Sequence, residues 1–340
     1  MKKDGFKEKE EKDYLNKIQE AIDEFEAETP FTDKDQQLIV RRGKVEARLT
    51  NILYSLTILL LIIPVATLGS YLYYGIGNKA NDFIDIMEKT IYITKPNVSL
   101  EEMEIDSKIG FFNMDLSYDL YKRVGKKDVR IGDSKAHFTF STPSFPDTSF
   151  ITEKPFTEYR DEDKEVLFHP HRAIPYMVKQ DETVLKGLPD GTVAEAFVSF
   201  DQLYTEKELF SEFPKDLDLV WFAVDTGLEE KNLSADGDYI SPIGYPAQED
   251  PDNWSPFNSD EINSKQFMEI LTYLSKNQET AETIAERPLA LPERIEYLQK
   301  NGIHIYGAVV TGPKESLVKL QDNDMVKGMK LGEVRLWNWY

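Results

Sequence analysis

The sequence predicts an α+β protein in three parts: a short helical cytoplasmic arm, one transmembrane helix, and an extracellular mixed-sheet domain with helices on one face. Three observations carry this. Residues 52–74 form a run of 23 without a charge. Arg41, Arg42, Lys44 and Arg48 stand directly ahead of it, opposed only by Glu46. From residue 193 onward, strand-like and helix-like patterns alternate, as in a packed two-layer domain.

The apolar run is the first element to justify. At about 1.5 Å rise per residue it reaches roughly 34 Å, enough for a hydrocarbon core of about 30 Å. A buried core helix of that length would show a polar face, and this run shows none. A cleaved signal peptide would be shorter and would sit at the extreme N-terminus. The run is therefore expected to be retained. Pro64 falls mid-span, where a kink is tolerated in lipid. Tyr54 marks one end and Tyr71, Tyr73 and Tyr74 the other, as interfacial aromatic belts require.

The flanking charges set the orientation. Arg41, Arg42, Lys44 and Arg48 precede the span, whereas Lys79, Asp82 and Asp85 follow it. The positive-inside bias places the N-terminus in the cytoplasm and residues 78–340 outside. Membrane lipid is then a partner of the basic cluster, at about 1 kcal/mol per residue near anionic headgroups. Residues 1–48 carry 11 basic and 13 acidic groups, net −2 of the chain's −21, so −19 lies beyond the span. With 40 Lys and Arg against 61 Asp and Glu, the chain's acidity argues against general nucleic-acid binding.

Residues 1–48 form the arm, and they are too few for a sizeable core. Residues 1–12 (MKKDGFKEKEEK) read as a disordered, highly charged lead. Asp13 is placed to cap a helix carrying Leu15, Ile18, Ile22 and Phe25 at helical spacing, with Tyr14 and Ala21 alongside. Glu20, Asp23, Glu24 and Glu26 face away, and Thr29-Pro30 ends the pattern. Thr32-Asp33-Lys34-Asp35 reads as a capping-box start for a second helix, with Leu38, Val45 and Leu49, that runs unbroken into the membrane. A stripe with no domain behind it needs a cover. That cover is a protein groove, the arm's second helix or a second copy, or the bilayer surface. The acidic far face disfavours the bilayer, because surface helices carry Lys and Arg there. The candidate partner-binding residues are Tyr14, Leu15, Ile18, Ile22, Phe25, Phe31 and Leu38.

Residues 49–77 hold the span with its flanks, residues 78–190 a region of uncertain fold, and residues 191–340 an α+β domain. Within 78–190 only 134–141 (SKAHFTFS) reads as a strand; residues 142–192 are rich in Pro and charge and are expected to include long loops. Beyond them, 193–200 and 217–224 read as strands around a short helix at 205–213. A long helix is expected over 262–286, another from Pro292 to Lys300, a strand over 303–310, a helix over 313–320 and a strand over 333–339. FVSFDQLYTEKELFSEFPKDLDLVWFAV and YGAVVTGPKESLVKLQDNDMVKGMKLGEVRLW share one strand–helix–strand plan, which reads as a degenerate duplication.

No catalytic set emerges, and no cofactor or metal is expected. There is no cysteine, which excludes disulfides and thiolate metal sites. His169-Pro170-His171 could offer two imidazoles, but no third ligand stands near and a plain loop is the better reading. Asp322-Asn323-Asp324 resembles a calcium-loop start but has Val326 at the third ligand position. Asp236-Gly237-Asp238 reads as a turn, and Glu229-Glu230 and Asp161-Glu162-Asp163 as solvated runs. Trp337, Trp339 and Arg335 share one strand face, read as core packing or edge cover with a ligand platform as the alternative.

Two stretches carry a resemblance. FEAETPFTDKDQQLIVRRGKVEARLTNILYS, together with YGAVVTGPKESLVKL and GEVRLWNWY, resembles the terminal regions of the Firmicutes sigma-factor-regulator family, over roughly residues 20–90 and 190–340. These are single-pass membrane anti-sigma factors for extracytoplasmic-function sigma factors. The resemblance implies that the arm sequesters such a sigma factor, its apolar stripe in a groove between sigma domains, while the outer domain senses envelope conditions. A second small membrane protein is a further candidate partner. The zinc module of many anti-sigma factors is excluded, since the chain has no Cys and no His before His137. A cell-surface receptor or adhesion module, and an envelope enzyme acting on wall polymers, are the competing functions.

Overall fold

The computed structural model describes residues 4–28, 32–101, 105–151, 166–174, 176–231, 240–250, 254–259 and 261–336. The chain divides into two compact units, Met1–Val65 and Ala66–Tyr340. Asp161-Glu162-Asp163, Asp236-Gly237-Asp238, Phe31, Trp337 and Trp339 lie outside the described residues.

The N-terminal unit is helical. Helix α1 (Asp4–Glu28) begins nine residues ahead of the expected cap at Asp13. The upstream stretch is built mainly of Lys and Glu, strong helix formers, and it extends the helix rather than preceding it as a coil. Helix α2 (Asp33–Tyr71) runs unbroken from the Thr32 start through Pro64. Asp35 accepts hydrogen bonds from both the Thr32 backbone N–H, at 3.2 Å, and the Thr32 hydroxyl, which satisfies an otherwise orphaned donor at the helix start. With the π-helical turn Leu72–Ile76 that follows, it forms one continuous helical stretch long and apolar enough to cross a membrane.

The large unit opens with α3 (Lys79–Thr94), whose Phe83, Ile86, Met87, Thr90, Ile91 and Thr94 are buried at helical spacing. An antiparallel sheet follows: β1 (Asp106–Ile109), β2 (Asn113–Val124), β3 (Lys127–Thr139), β4 (Thr142–Pro143) and β5 (Asp147–Phe150). Its order is β1-β2-β3-β4, with β5 also paired to β3. Met114, Leu116, Tyr118 and Leu120 alternate inward along β2, and Ala136 and Phe138 do so along β3. Of the expected strand over 134–141, residues 134–139 lie in β3, and Phe140 and Ser141 form the turn that follows.

Next come α4 (Tyr176–Gly187), β6 (Thr192–Tyr204), α5 (Glu206–Glu212), β7 (Asp218–Val224), β8 (Gly244–Pro246), α6 (Asn263–Ser275), α7 (Gln278–Ala285), α8 (Leu291–Asn301), β9 (Ile305–Pro313), α9 (Lys314–Leu320) and β10 (Val326–Leu336). The second sheet has the order β10-β6-β9-β7-β8. The two strand–helix–strand units, β6-α5-β7 and β9-α9-β10, interleave. Their first strands pair at the centre, and each second strand flanks the other unit's first strand. This is the order of a split βαβ, ferredoxin-like, sheet with β8 added at one edge.

The α+β class therefore stands, with one refinement. The β6 and β7 strands run in the same direction, as a crossover demands, but β9 lies between them. Every described pairing is antiparallel, and the sheets are antiparallel rather than mixed. The helix expected over 262–286 is two helices. Asn277 turns its side-chain amide onto the Tyr273 carbonyl at 3.2 Å and its φ to −124°, so side chain and backbone compete and the helix breaks.

One face of the second sheet carries Ala194, Ala196, Val198, Phe200, Ala308 and Val310 into the main core, with Leu209 of α5 and Leu317 and Leu320 of α9. That core also holds the inward faces of α3, β2 and β3. The opposite face carries Phe197, Trp221, Ala223, Tyr306 and Val309 in a smaller cluster closed by Leu167. Trp221 Nε1–H donates to the Tyr92 carbonyl of α3 at 3.0 Å, and Gly125 N–H donates to Thr311 Oγ1 at 2.7 Å.

Candidate partner-binding arm and polar centres

On α1, Tyr14, Leu15, Ile18 and Ile22 recur at intervals of three and four, which places them along one face. They are 67, 58, 39 and 46% exposed. Leu38 on α2 is 57% exposed. The Phe25 side chain, like Phe31, lies outside the described residues. Burying an aliphatic side chain the size of Leu15, Ile18 or Ile22 contributes about 1.5–3 kcal/mol.

Arg41, Arg42, Lys44 and Arg48 are all exposed on α2. By helical period Leu38, Arg42, Val45 and Leu49 share one face, with Arg41, Lys44 and Arg48 on the face beside it. The four cations therefore ring part of the helix within about 11 Å of axis, ahead of the first uncharged turn.

At the far end of the uncharged run, the tyrosines do not form a free belt. Tyr74 is fully buried, and its hydroxyl donates to the Phe140 carbonyl at 3.0 Å. The Tyr73 and Ser141 hydroxyls are 2.6 Å apart. Only Tyr71 remains exposed. The reason is geometric: the π-helical turn Leu72–Ile76 swings both rings under the β3–β4 turn, where Tyr74 meets Phe83 and Tyr73 meets Phe140.

Two polar centres are buried in the large unit. In the first, Glu195 of β6 accepts from Lys122 Nζ of β2, from Asn97 Nδ2 at 2.7 Å and from the Glu333 N–H at 3.0 Å. In the second, Arg294 of α8 donates to Glu229 and to Thr226 Oγ1, the latter at 2.8 Å. Beside it, Asp225 accepts from Tyr297 Oη at 2.8 Å and from Gly227 N–H at 3.0 Å, and lies 3.8 Å from His169 Nε2. Burial pushes the Tyr297 hydroxyl up to about 12, with Asp225 adding to the rise. Burial also holds the His169 imidazole below its ordinary value, against the opposing pull of Asp225.

The solvated reading of Glu229-Glu230 needs correction. Glu229 is buried because Arg294 pairs with it, while Glu230 is exposed and meets His171 Nδ1 at 3.0 Å. His169 packs against Tyr306 rather than in an open loop. Asp322-Asn323-Asp324 forms the turn into β10, where the Asn323 side chain accepts from the Met325 N–H at 2.9 Å. Among the described residues, no group of three or more His, Asp or Glu side chains is placed to hold a metal. Sequence reasoning missed Lys122, Asn97, Asp225 and Arg294. Glu195 carried a signal, being a lone acid inside the apolar strand VAEAFVSF.

Comparison with known proteins agrees with this layout. Residues 37–129 match the sigma factor regulator N-terminal family, and residues 185–333 match the sigma factor regulator C-terminal family. A relative in Bacillus subtilis (strain 168), named "Probable anti-sigma-M factor YhdL", is 30% identical over 346 residues, covering 97% of this chain and 92% of that protein. No solved structure matches the chain. With both terminal regions matched and a full-length anti-sigma relative, the chain belongs to the sigma factor regulator family of anti-sigma factors.

Proposed function

We propose that this anti-sigma factor sequesters an extracytoplasmic-function sigma factor at the cytoplasmic face of the membrane, and that the large unit regulates it from outside the cell. The carrying observation is the exposed stripe of Tyr14, Leu15, Ile18 and Ile22 along one face of α1. Phe25, Phe31 and Leu38 extend the same contact. Residues 1–48 serve as the binding arm, residues 49–77 as the anchor and residues 78–340 as the sensor. The relative's name supports a sigma factor of the sigma-M kind as the partner. Arg41, Arg42, Lys44 and Arg48 hold the arm on the inner leaflet against anionic lipid. Inhibition is steric and by tethering, with no catalytic step. A second small membrane protein fits as an accessory.

The test is co-purification of the full chain from Bacillus membranes with candidate sigma factors. Recovery of one sigma factor, lost on Leu15→Asp with Ile22→Asp and retained on Glu20→Gln on the opposite face, supports the proposal. Recovery that survives the double substitution moves the contact off the stripe and sinks it. The competing receptor reading expects no sigma factor in any of these samples.

A further inference from the structure

The β1–β2 turn and the β3–β4 turn meet at the C-terminal end of α2. Phe112 N–H donates to Ser70 Oγ at 2.8 Å, and Phe140 N–H donates to the Phe112 carbonyl at 3.2 Å. Tyr73 and Tyr74 add their hydroxyl contacts to Ser141 and Phe140. Both turns are thereby fastened to the last turns of the helix. Their side chains are left open. Phe111, Phe112 and Phe140 are 47, 36 and 49% exposed. They form one aromatic series: ring centres are 4.6 Å apart for Phe111–Phe112, 5.2 Å for Phe112–Phe140 and 6.1 Å for Phe140–Tyr73.

The backbone makes these phenylalanines unexpected. Phe112 and Phe140 have φ of +56° and +53°, in the left-handed region. Turns use Gly, Asn or Asp there, because a bulky side chain is strained. Turn chemistry does not select phenylalanine at either position. Core packing does not select it either, since neither ring is buried. Strain retained at an exposed aromatic points to a role for the ring outside the folded unit.

Depth supplies the partner. Ser70 lies within the uncharged run, four residues before Tyr74 and so about 6 Å from its end along a helix axis. A turn bonded to Ser70 is held beside the final turn of the span, at the level where aromatic rings are favoured in a bilayer. Leu72 and Ile76, both exposed, continue the apolar surface along the helix. A soluble partner would have to reach this surface at the depth of the headgroups.

We propose that Phe111, Phe112 and Phe140 form an aromatic wedge that enters the lipid interface at the C-terminal end of the span and seats the large unit on the bilayer. The wedge rests on the reading of residues 52–74 as a membrane span, and the experiment separates the two. The chain has no cysteine, so single-cysteine variants carry one spin label each in the full-length protein. In nanodiscs of phosphatidylcholine and phosphatidylglycerol, power saturation compares collisions with oxygen, which enriches in lipid, and with a water-soluble nickel chelate. Labels at Phe111→Cys and Phe140→Cys should favour oxygen at interfacial depth. Leu60→Cys should report the bilayer interior, and Lys207→Cys should report water. Leu60→Cys in lipid with both wedge labels in water overturns the wedge and leaves the span standing. Leu60→Cys in water overturns both. A second variant guards against a folding artefact: Phe112→Gly with Phe140→Gly relieves the left-handed strain, so the thermal midpoint should hold or rise. The Phe111→Cys label should then shift towards nickel several-fold; an unshifted label in that background overturns the role of the two rings.

Discussion

Lys122 Nζ lies 3.0 and 2.9 Å from the two carboxylate oxygens of Glu195, and the Glu195 side chain is wholly buried. The two residues belong to different sheets and to the two different family-matched regions. Within the large unit, the contact fastens β2 of the first region to β6 of the second. Removing only the cation leaves a buried charge with two neutral donors, a loss of about 3 kcal/mol. Lys122→Met should therefore lower the thermal midpoint of the full chain in detergent by roughly 5 °C. Adding Glu195→Gln removes the stranded charge, keeps an acceptor for Asn97 and should restore at least half of that loss. Calorimetry on both variants checks this, and an unchanged midpoint for Lys122→Met would refute it.

A second prediction concerns pH. His169 is buried beside Asp225, with His171, Glu229 and Glu230 as its other charged neighbours. Burial depresses its folded pKa below the ordinary 6.5, so the unfolded chain binds the proton more readily than the folded one. The neutral ring's contribution to stability is complete above about pH 6.5 and declines as pH falls from there towards the folded value. His169→Gln removes that component. Between pH 7.5 and 5.5 the thermal midpoint of the variant should fall less than that of the parent. Parallel curves would show that His169 carries no such linkage.

Gly244 is a position where only a missing side chain fits. A Cβ there would fall 1.8 Å from the Phe222 carbonyl oxygen and 2.7 Å from the Trp221 ring. Its partner strand β7 sits inside the core and cannot yield, so β8 must move. Gly244→Ala should destabilise by about 1–3 kcal/mol, the usual cost of overpacking. Amide exchange should localise the loss to residues 244–247. Uniform acceleration across both sheets would contradict a local unpairing.

Legibility followed the range of the interaction. The arm and span rest on composition and on 3.6-residue spacing, so a helix running from Thr32 into the span could be read from its own residues. The capping box at Thr205 and Glu208 is equally local and marks α5 directly. The β2 strand was harder. Its inward Met114, Leu116, Tyr118 and Leu120 alternate, but the outward acids and the turn-forming neighbours blurred the period. Sheet order was not legible, because β9 enters between β6 and β7 from about eighty residues away. The same holds for the polar centres. Lys122 and Glu195 are 73 positions apart, and Arg294 and Glu229 are 65 apart, distances at which no periodicity speaks.

The last prediction concerns orientation, on which the proposed function depends. Four cations precede the uncharged run and one follows it closely, at Lys79. Positive residues are retained on the cytoplasmic side during insertion, and each adds about 1 kcal/mol of attraction to anionic headgroups. Protease added to intact protoplasts should therefore digest the large unit and leave an N-terminal fragment of the arm and span protected. Reversing Arg41, Arg42, Lys44 and Arg48 to Glu removes the bias, and a measurable fraction of chains should then expose the arm instead. Residues 1–40 carry 7 basic and 12 acidic groups, and Lys34 is the one cation among them within about 20 residues of the span, so little else in residues 1–40 opposes translocation. If the unaltered chain loses its first forty residues to protease while the large unit survives, the stripe of Tyr14, Leu15, Ile18 and Ile22 faces away from every sigma factor, and the sequestration mechanism fails with it.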